Sequence, residues 1–150
     1  MRFRHLIGAC SLAVLSMSCS LGDATDVGSI NLYVDVNDSQ LTVGQDTITF
    51  TVTARNVGFD PLSFTGPSDC ILFIEIFSSS GTMVWSSNTS CSGANTTEEL
   101  AAGQDKIAAI RWDGRSNAGS FLAAGLYLVR PVARTTGAAT VGPPLTVALD

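Results

Sequence analysis

Apolar and polar side chains alternate most clearly over residues 47–56. Ile48, Phe50, Val52 and Ala54 share one parity; Thr47, Thr49, Thr51, Thr53 and Arg55 share the other. A period of two is that of a strand with one face on a core and the other in water. Threonine suits the wet face, because its branched side chain packs well on a pleated surface. The same period runs through Ile30, Leu32, Val34 and Val36, set between Asn31, Tyr33 and Asp35. Further strands are predicted at 70–77, 82–86, 96–100, 106–112, 126–133 and 145–149. Turn residues separate them: Asn37-Asp38-Ser39, Ser78 to Gly81, Ala101 to Gln104, Asp113-Gly114 and Gly125. These positions need the positive φ of glycine or the short polar side chains of Asn and Asp. Residues 58–68, with Pro61, Gly66 and Pro67, read as a long loop holding a brief extended piece at 62–64. Residues 87–95 read as a polar loop. Pro131 lacks a backbone donor and is expected at an edge or a bulge.

Seven to eight strands at roughly ten-residue spacing, with no helical period between them, predict an all-β domain. The expected architecture is an immunoglobulin-like antiparallel β-sandwich over residues 29–150, long enough for one core. Its edge strands need protection from pairing with other chains, a role that suits Lys106, Arg130 and Pro131.

The first 18 residues follow a different pattern. Arg2, Arg4 and His5 precede an apolar run from Leu6 to Met17, and Ser16-Met17-Ser18 leads to Cys19. This is the layout of a secretory signal peptide, and the run is too short to remain as a membrane span. The signal resembles that of bacterial lipoproteins, in which the new N-terminal cysteine carries the lipid. Residues 1–18 are therefore expected to be cleaved, Cys19 to be lipidated, and 19–28 to form a polar tether. Ser16 stands where such signals usually carry Leu; Cys10 fits the local pattern better but leaves almost no apolar run before it. Ordinary secretion is the alternative. The expected address is the bacterial cell envelope, with membrane contact only through the lipid.

Loss of Arg2 and Arg4 takes the formal charge from −5 to −7, six basic residues against thirteen acidic. An acidic chain with scattered basic residues argues against a nucleic-acid partner or an anionic membrane face. Cys70 and Cys91 remain in the domain, and export permits them to pair. Pairing Phe77 with Thr82 across the turn puts Ile76 opposite Met83, Ile74 opposite Trp85 and Cys70 opposite Thr89. An offset of two residues, or a small bulge, brings Cys91 within range of Cys70. The rival reading, a metal pair, lacks further ligands of a suitable kind.

The sole histidine, His5, lies in the signal. The mature chain thus holds no Ser-His-Asp or Cys-His unit and no histidine metal ligand. Glu98 and Glu99 are neighbours on a strand and point to opposite faces. Asp35, Asn37 and Asp38 offer oxygens for calcium, but their spacing completes no loop motif and turn chemistry accounts for them. Trp85 and Trp112 end apolar strands at inward parity, which suits core packing better than stacking on a ligand. Asn37, Asn88 and Asn95 begin glycosylation triplets in form, relevant only in a eukaryotic source. No catalytic residue, metal or cofactor is expected.

Several short features recur in one order. Residues 49–56 form a strand ending in Asn56. Gly81-Thr82-Met83-Val84-Trp85 closes the hairpin. Leu100-Ala101-Ala102-Gly103-Gln104 forms a turn, and Trp112 is followed by Gly125-Leu126-Tyr127. In this order, over residues 41–127, the chain resembles the intracellular proteinase inhibitor family of the BsuPI type. That family shows a first strand ending in Asn, a Gly-x-x-Val-Trp hairpin, a Leu-x-x-Gly-Glu turn, a closing Trp and then Pro-Gly-x-Tyr. Ala123 and Ala124 stand here where the family tends to have Pro. Locally, Trp112-Asp113-Gly114-Arg115 with Gly119 and later Tyr127 also resembles the immunoglobulin-like repeat of flagellar hook-capping proteins. Both resemblances imply a β-sandwich. The first implies a protein partner, a protease among the candidates; the second implies a structural or adhesive envelope module. An inhibitor needs an exposed, pre-organised loop, and the candidate is Asn88, Thr89 and Ser90, close to Cys91.

Overall fold

A computed structural model describes residues 30–136 and 138–150. The predicted signal (1–18), Cys19 and the tether (19–28) lie outside the described residues. Strand β1 (Ile30–Val36), β3 (Ile48–Asn56) and β8 (Asp105–Trp112) make a three-stranded antiparallel sheet with β3 at its centre. The larger sheet is organised on β9 (Gly125–Thr135). At eleven residues, β9 is long enough to take two partners in succession along each side. On one side lie β11 (Leu145–Leu149) and then β10 (Ala138–Val141). On the other lie β5 (Leu72–Ser78) and, at Thr135, β4 (Leu62–Pro67). The sheet is extended by β6 (Met83–Ser86) on β5, β7 (Asn95–Leu100) on β4, and the two-residue β2 (Gln40–Leu41), which runs parallel to β11. The molecule is the all-β, immunoglobulin-like sandwich that the alternation predicts. The eleven strand segments among the described residues exceed the expected count because β2, β4 and β10 are strands where the sequence reading placed turns or loops. Among the described residues no helix is long and apolar enough to cross a membrane.

Four details depart from the sequence reading, each for a local reason. Thr53 is buried, not wet. It lies on the outer face of the central strand, and its cross-strand neighbours Tyr33 and Ile107 cover it from both sides. Residues 62–67 are a full strand. Gly66 lies within it because a Cβ there would sit 2.8 Å from Cδ of Arg134, whose side chain crosses the strand. Pro131 is not at a sheet edge but in the middle of β9, and the bulge half of the expectation holds, since residues 130–131 stand against three residues, 142–144, between β11 and β10. Its carbonyl accepts from the Gly142 amide at 3.0 Å, so its donor-less nitrogen faces the same side, between the ends of β10 and β11. The break at Gly142-Pro143-Pro144 is what accommodates it. Arg130 shares β9 with Pro131 and guards no edge. Lys106 does: it stands at inward parity on edge strand β8 and is ion-paired with Glu98 of β7.

The core lies between the sheets and centres on Trp112, which is 2% exposed. Its ring meets Phe50 of the small sheet at 6.5 Å and reaches Trp85 and Tyr127 of the large sheet at 6.2 and 6.3 Å between centroids. Such offset and edge contacts add to the area buried. The indole N–H donates to the Arg115 carbonyl at 2.8 Å, and the Tyr127 hydroxyl to the Ala123 carbonyl at 2.8 Å. Both polar tips are therefore satisfied inside an apolar environment. At one end of β3, Asn56 is fully buried. Its side-chain amide donates to the carbonyls of Asp60 and Leu100 at 2.7 and 2.9 Å and accepts from the Gly58 amide at 2.9 Å. Its backbone bonds Gly103 and Gln104, so one residue ties the β3–β4 connection to the β7–β8 turn.

Candidate functional site

The hairpin β5–β6 sets the geometry of the candidate loop. Gly81, at φ +81°, closes the turn. Ser78 bonds Thr82, one residue out of step with the simplest expected register. Phe77 then faces Met83, but Ile76 faces Trp85, so Val84 is an extra residue on the outer strand. A one-step slip at the turn and a one-residue bulge at Val84 together make the two-residue offset that the cysteine positions required. The bulge brings Cys91 opposite Cys70. The two form a disulfide, with Cα atoms 5.8 Å apart and a sequence separation of 21. Closing a loop of this length contributes on the order of 3 kcal/mol in the chain-entropy account.

Within the closed loop, Ser87–Ser90 make one 3-10 turn, capped by the Ser86 hydroxyl accepting from the Asn88 amide at 3.3 Å. Asn88 is half-buried, and its side-chain oxygen accepts from the Arg134 guanidinium. Thr89 is exposed, but its hydroxyl donates to the Ser86 carbonyl at 2.9 Å and to Oδ1 of Asn117 at 3.3 Å. Ser90 is exposed. Asn117 acts as a one-residue strand against the edge of β6: its amide donates to the Val84 carbonyl and its Oδ1 accepts from the Ser86 amide, both at 3.0 Å. Beyond Cys91, the Asp69 carboxylate accepts from the amides of Ser92 and Gly93 at 2.8 and 3.0 Å. Gly93 has no side chain to spare there, since a Cβ would lie 2.5 Å from Ser68 Oγ and 2.7 Å from Asp69 Oδ1.

The structure thus brings Asn88, Thr89, Ser90 and the Cys70–Cys91 disulfide together in one braced loop. Sequence reasoning missed the braces. Arg134 and Asn117 are distant in the chain, and Asn117 carries the ordinary signature of a turn residue. Asp69, directly before Cys70, was the one brace with a local signal. Asp69, Cys70 and Cys91 also place one ligand atom each within 4.8 Å of one another. The sulfurs are bonded to each other, so neither offers the thiolate that a soft metal takes. No pocket opens among the described residues. What the loop exposes is Thr89 and Ser90.

Hydrogen bonding from the Ser92 amide, with that of Gly93 in support, holds the Asp69 carboxyl below the ordinary aspartate value. A carboxyl lowered on folding adds stability that is fully present above its unfolded pKa of about 3.9 and is lost as pH falls through the lower folded value. Asp69→Asn should therefore be less stable than the native chain by a constant margin from about pH 5 to 7, and that margin should narrow below about pH 4. Urea unfolding at a series of pH values measures it. A margin unchanged down to about pH 2 would show that the carboxylate does not brace the loop.

No protein-family model and no curated protein matches the chain. Solved structures do. A β-glucosidase from Erythrobacter marinus matches over 82% of this chain and 16% of its own length, at 13% identity and a TM-score of 0.51. Spo0M, a sporulation control protein from Bacillus subtilis, matches over 83% of this chain and 50% of its own, at 6% identity and a TM-score of 0.56. The alkylpurine DNA glycosylase AlkC of Pseudomonas fluorescens, bound to DNA containing an abasic site analog, matches over 82% and 31%, at 14% identity and a TM-score of 0.53. This chain spans half or less of each of these proteins. At such identities the likeness is one of fold alone: the sandwich recurs in proteins described by unrelated activities.

Proposed function

We propose that this chain is an exported, lipid-anchored domain that acts by binding another protein and has no catalytic role of its own. The observation that carries this reading is the loop at 86–91. A disulfide, hydrogen bonds from two other segments (Asn117 to the Ser86 amide, Arg134 to the Asn88 side chain) and an internal Thr89–Ser86 bond hold it, while Thr89 and Ser90 stay exposed. Ordering that is complete before binding is not charged against affinity, which is the physical advantage of a braced recognition loop. The finer reading, inhibition of a protease, rests on the BsuPI-type resemblance. A structural or adhesive envelope module is the second reading, and one observation favours it. The motif residues behind the resemblance, Asn56, Leu100, Gly103, Trp112 and Tyr127, are all engaged in internal bonds or packing.

The anchor rests on Cys19 and the basic-apolar stretch before it. Cys19→Ser should move the protein from the membrane fraction to the soluble envelope or culture fraction. Equal membrane association of the two forms would remove the lipoprotein reading.

Binding through the loop is tested at Ser90, an exposed position where a larger side chain meets no core. In a panel of serine proteases assayed with micromolar native chain, Ser90→Arg should weaken inhibition by about tenfold or more while leaving the thermal midpoint unchanged. Inhibition by neither form, from folded protein, would leave the structural or adhesive module.

A further inference from the structure

The β3–β4 connection, residues 57–61, holds a feature that the loop at 86–91 does not explain. Phe59 is 91% exposed and Val57 is 52% exposed. A phenylalanine almost wholly in water contributes little to the fold, and in a slack loop it would collapse onto nearby apolar surface. Here it does not, because Asn56 holds the connection from inside. The Asn56 side chain accepts from Gly58 on one side of Phe59 and donates to the Asp60 carbonyl on the other. Its second amide hydrogen goes to the Leu100 carbonyl, and its backbone accepts from Gly103 at 2.8 Å and donates to Gln104 at 3.0 Å. Three of the four hydrogen bonds open to this fully buried side chain are made, two to the bend and one to the neighbouring β7–β8 turn.

We propose that Phe59 is an anchor side chain that fills an apolar, aromatic-accepting pocket on a protein partner. Under the protease-binding reading above, on which this inference rests, that pocket is the primary specificity pocket of a serine protease that accepts aromatic side chains. A rigid, exposed aromatic ring is the residue type that dominates binding when it enters a desolvated pocket. The bend offers one side chain as a wedge with its backbone restrained on both sides. Asp60, exposed and next to Phe59 in sequence, matches a pocket with a cationic rim. The same carboxylate, on a chain of net negative charge, disfavours an anionic bilayer as the occupant.

The test uses the full chain against α-chymotrypsin, whose pocket accepts aromatic rings, beside trypsin, whose pocket carries a carboxylate. Native chain should inhibit chymotrypsin. Phe59→Ala should weaken this by roughly tenfold or more with no change in thermal midpoint, and Phe59→Leu should restore part of it. Phe59→Lys should shift inhibition toward trypsin. Equal inhibition by native chain and Phe59→Ala, with loss on Ser90→Arg, would overturn the anchor and leave the protein-binding reading in place. No inhibition of chymotrypsin by the native chain would overturn the anchor, and no inhibition across the serine-protease panel would overturn the protease reading as well. Phe59-dependent binding to phosphatidylglycerol vesicles would overturn it in favour of a lipid.

Discussion

The burial of Trp112 is the interaction on which the rest of the structure depends. It ends β8 in the small sheet and packs on Phe50 there, while its other ring contacts, Trp85 and Tyr127, belong to the large sheet. A buried indole must also satisfy its N–H, and this one does so at the Arg115 carbonyl. That bond sets the start of the following loop, where Arg115 bonds Asp113 and stacks over Phe121. The loop in turn delivers Asn117 to the edge of β6, and Asn117 holds Ser86 and Thr89. A continuous set of contacts therefore runs from the centre of the core to the candidate recognition loop.

Much of the fold was legible in the sequence because alternation is a local signal. Ile48, Phe50, Val52 and Ala54 face inward as their parity requires, and the glycines at 81, 103 and 114 take the positive φ that their turns need. What escaped was decided by residues far away. Gly66 is a strand residue because Arg134 crosses it, and Thr53 is dry because Tyr33 and Ile107 flank it. Pro131 is central because a Gly-Pro-Pro break lies opposite. The candidate loop was half legible. The cysteines and the need for an offset or a small bulge were visible, whereas the place of the bulge, at Val84, and the bracing by Asn117 and Arg134 were not.

The motifs behind the family resemblance acquire physical meaning as pairs. Asn56 and the Leu100-to-Gln104 turn are separate in sequence but share hydrogen bonds; Trp112 and Tyr127 share a ring contact. Resemblance of this sort informs fold more directly than it informs activity, which is why the solved structures that share the sandwich carry such different descriptions. What the braces hold outward is Thr89 and Ser90 at one loop and Phe59 at another.

The coupling between core and loop is open to one direct measurement, native-state hydrogen exchange on Trp112→Phe. This substitution keeps a buried aromatic ring but removes the N–H that bonds Arg115. If that bond positions Asn117, the Ser86 amide should exchange about fivefold faster or more, relative to the amides of β3 in the same variant. Ser86 protection that falls only in step with β3 would contradict the account, because it would mean that the loop at 86–91 is held independently of the core.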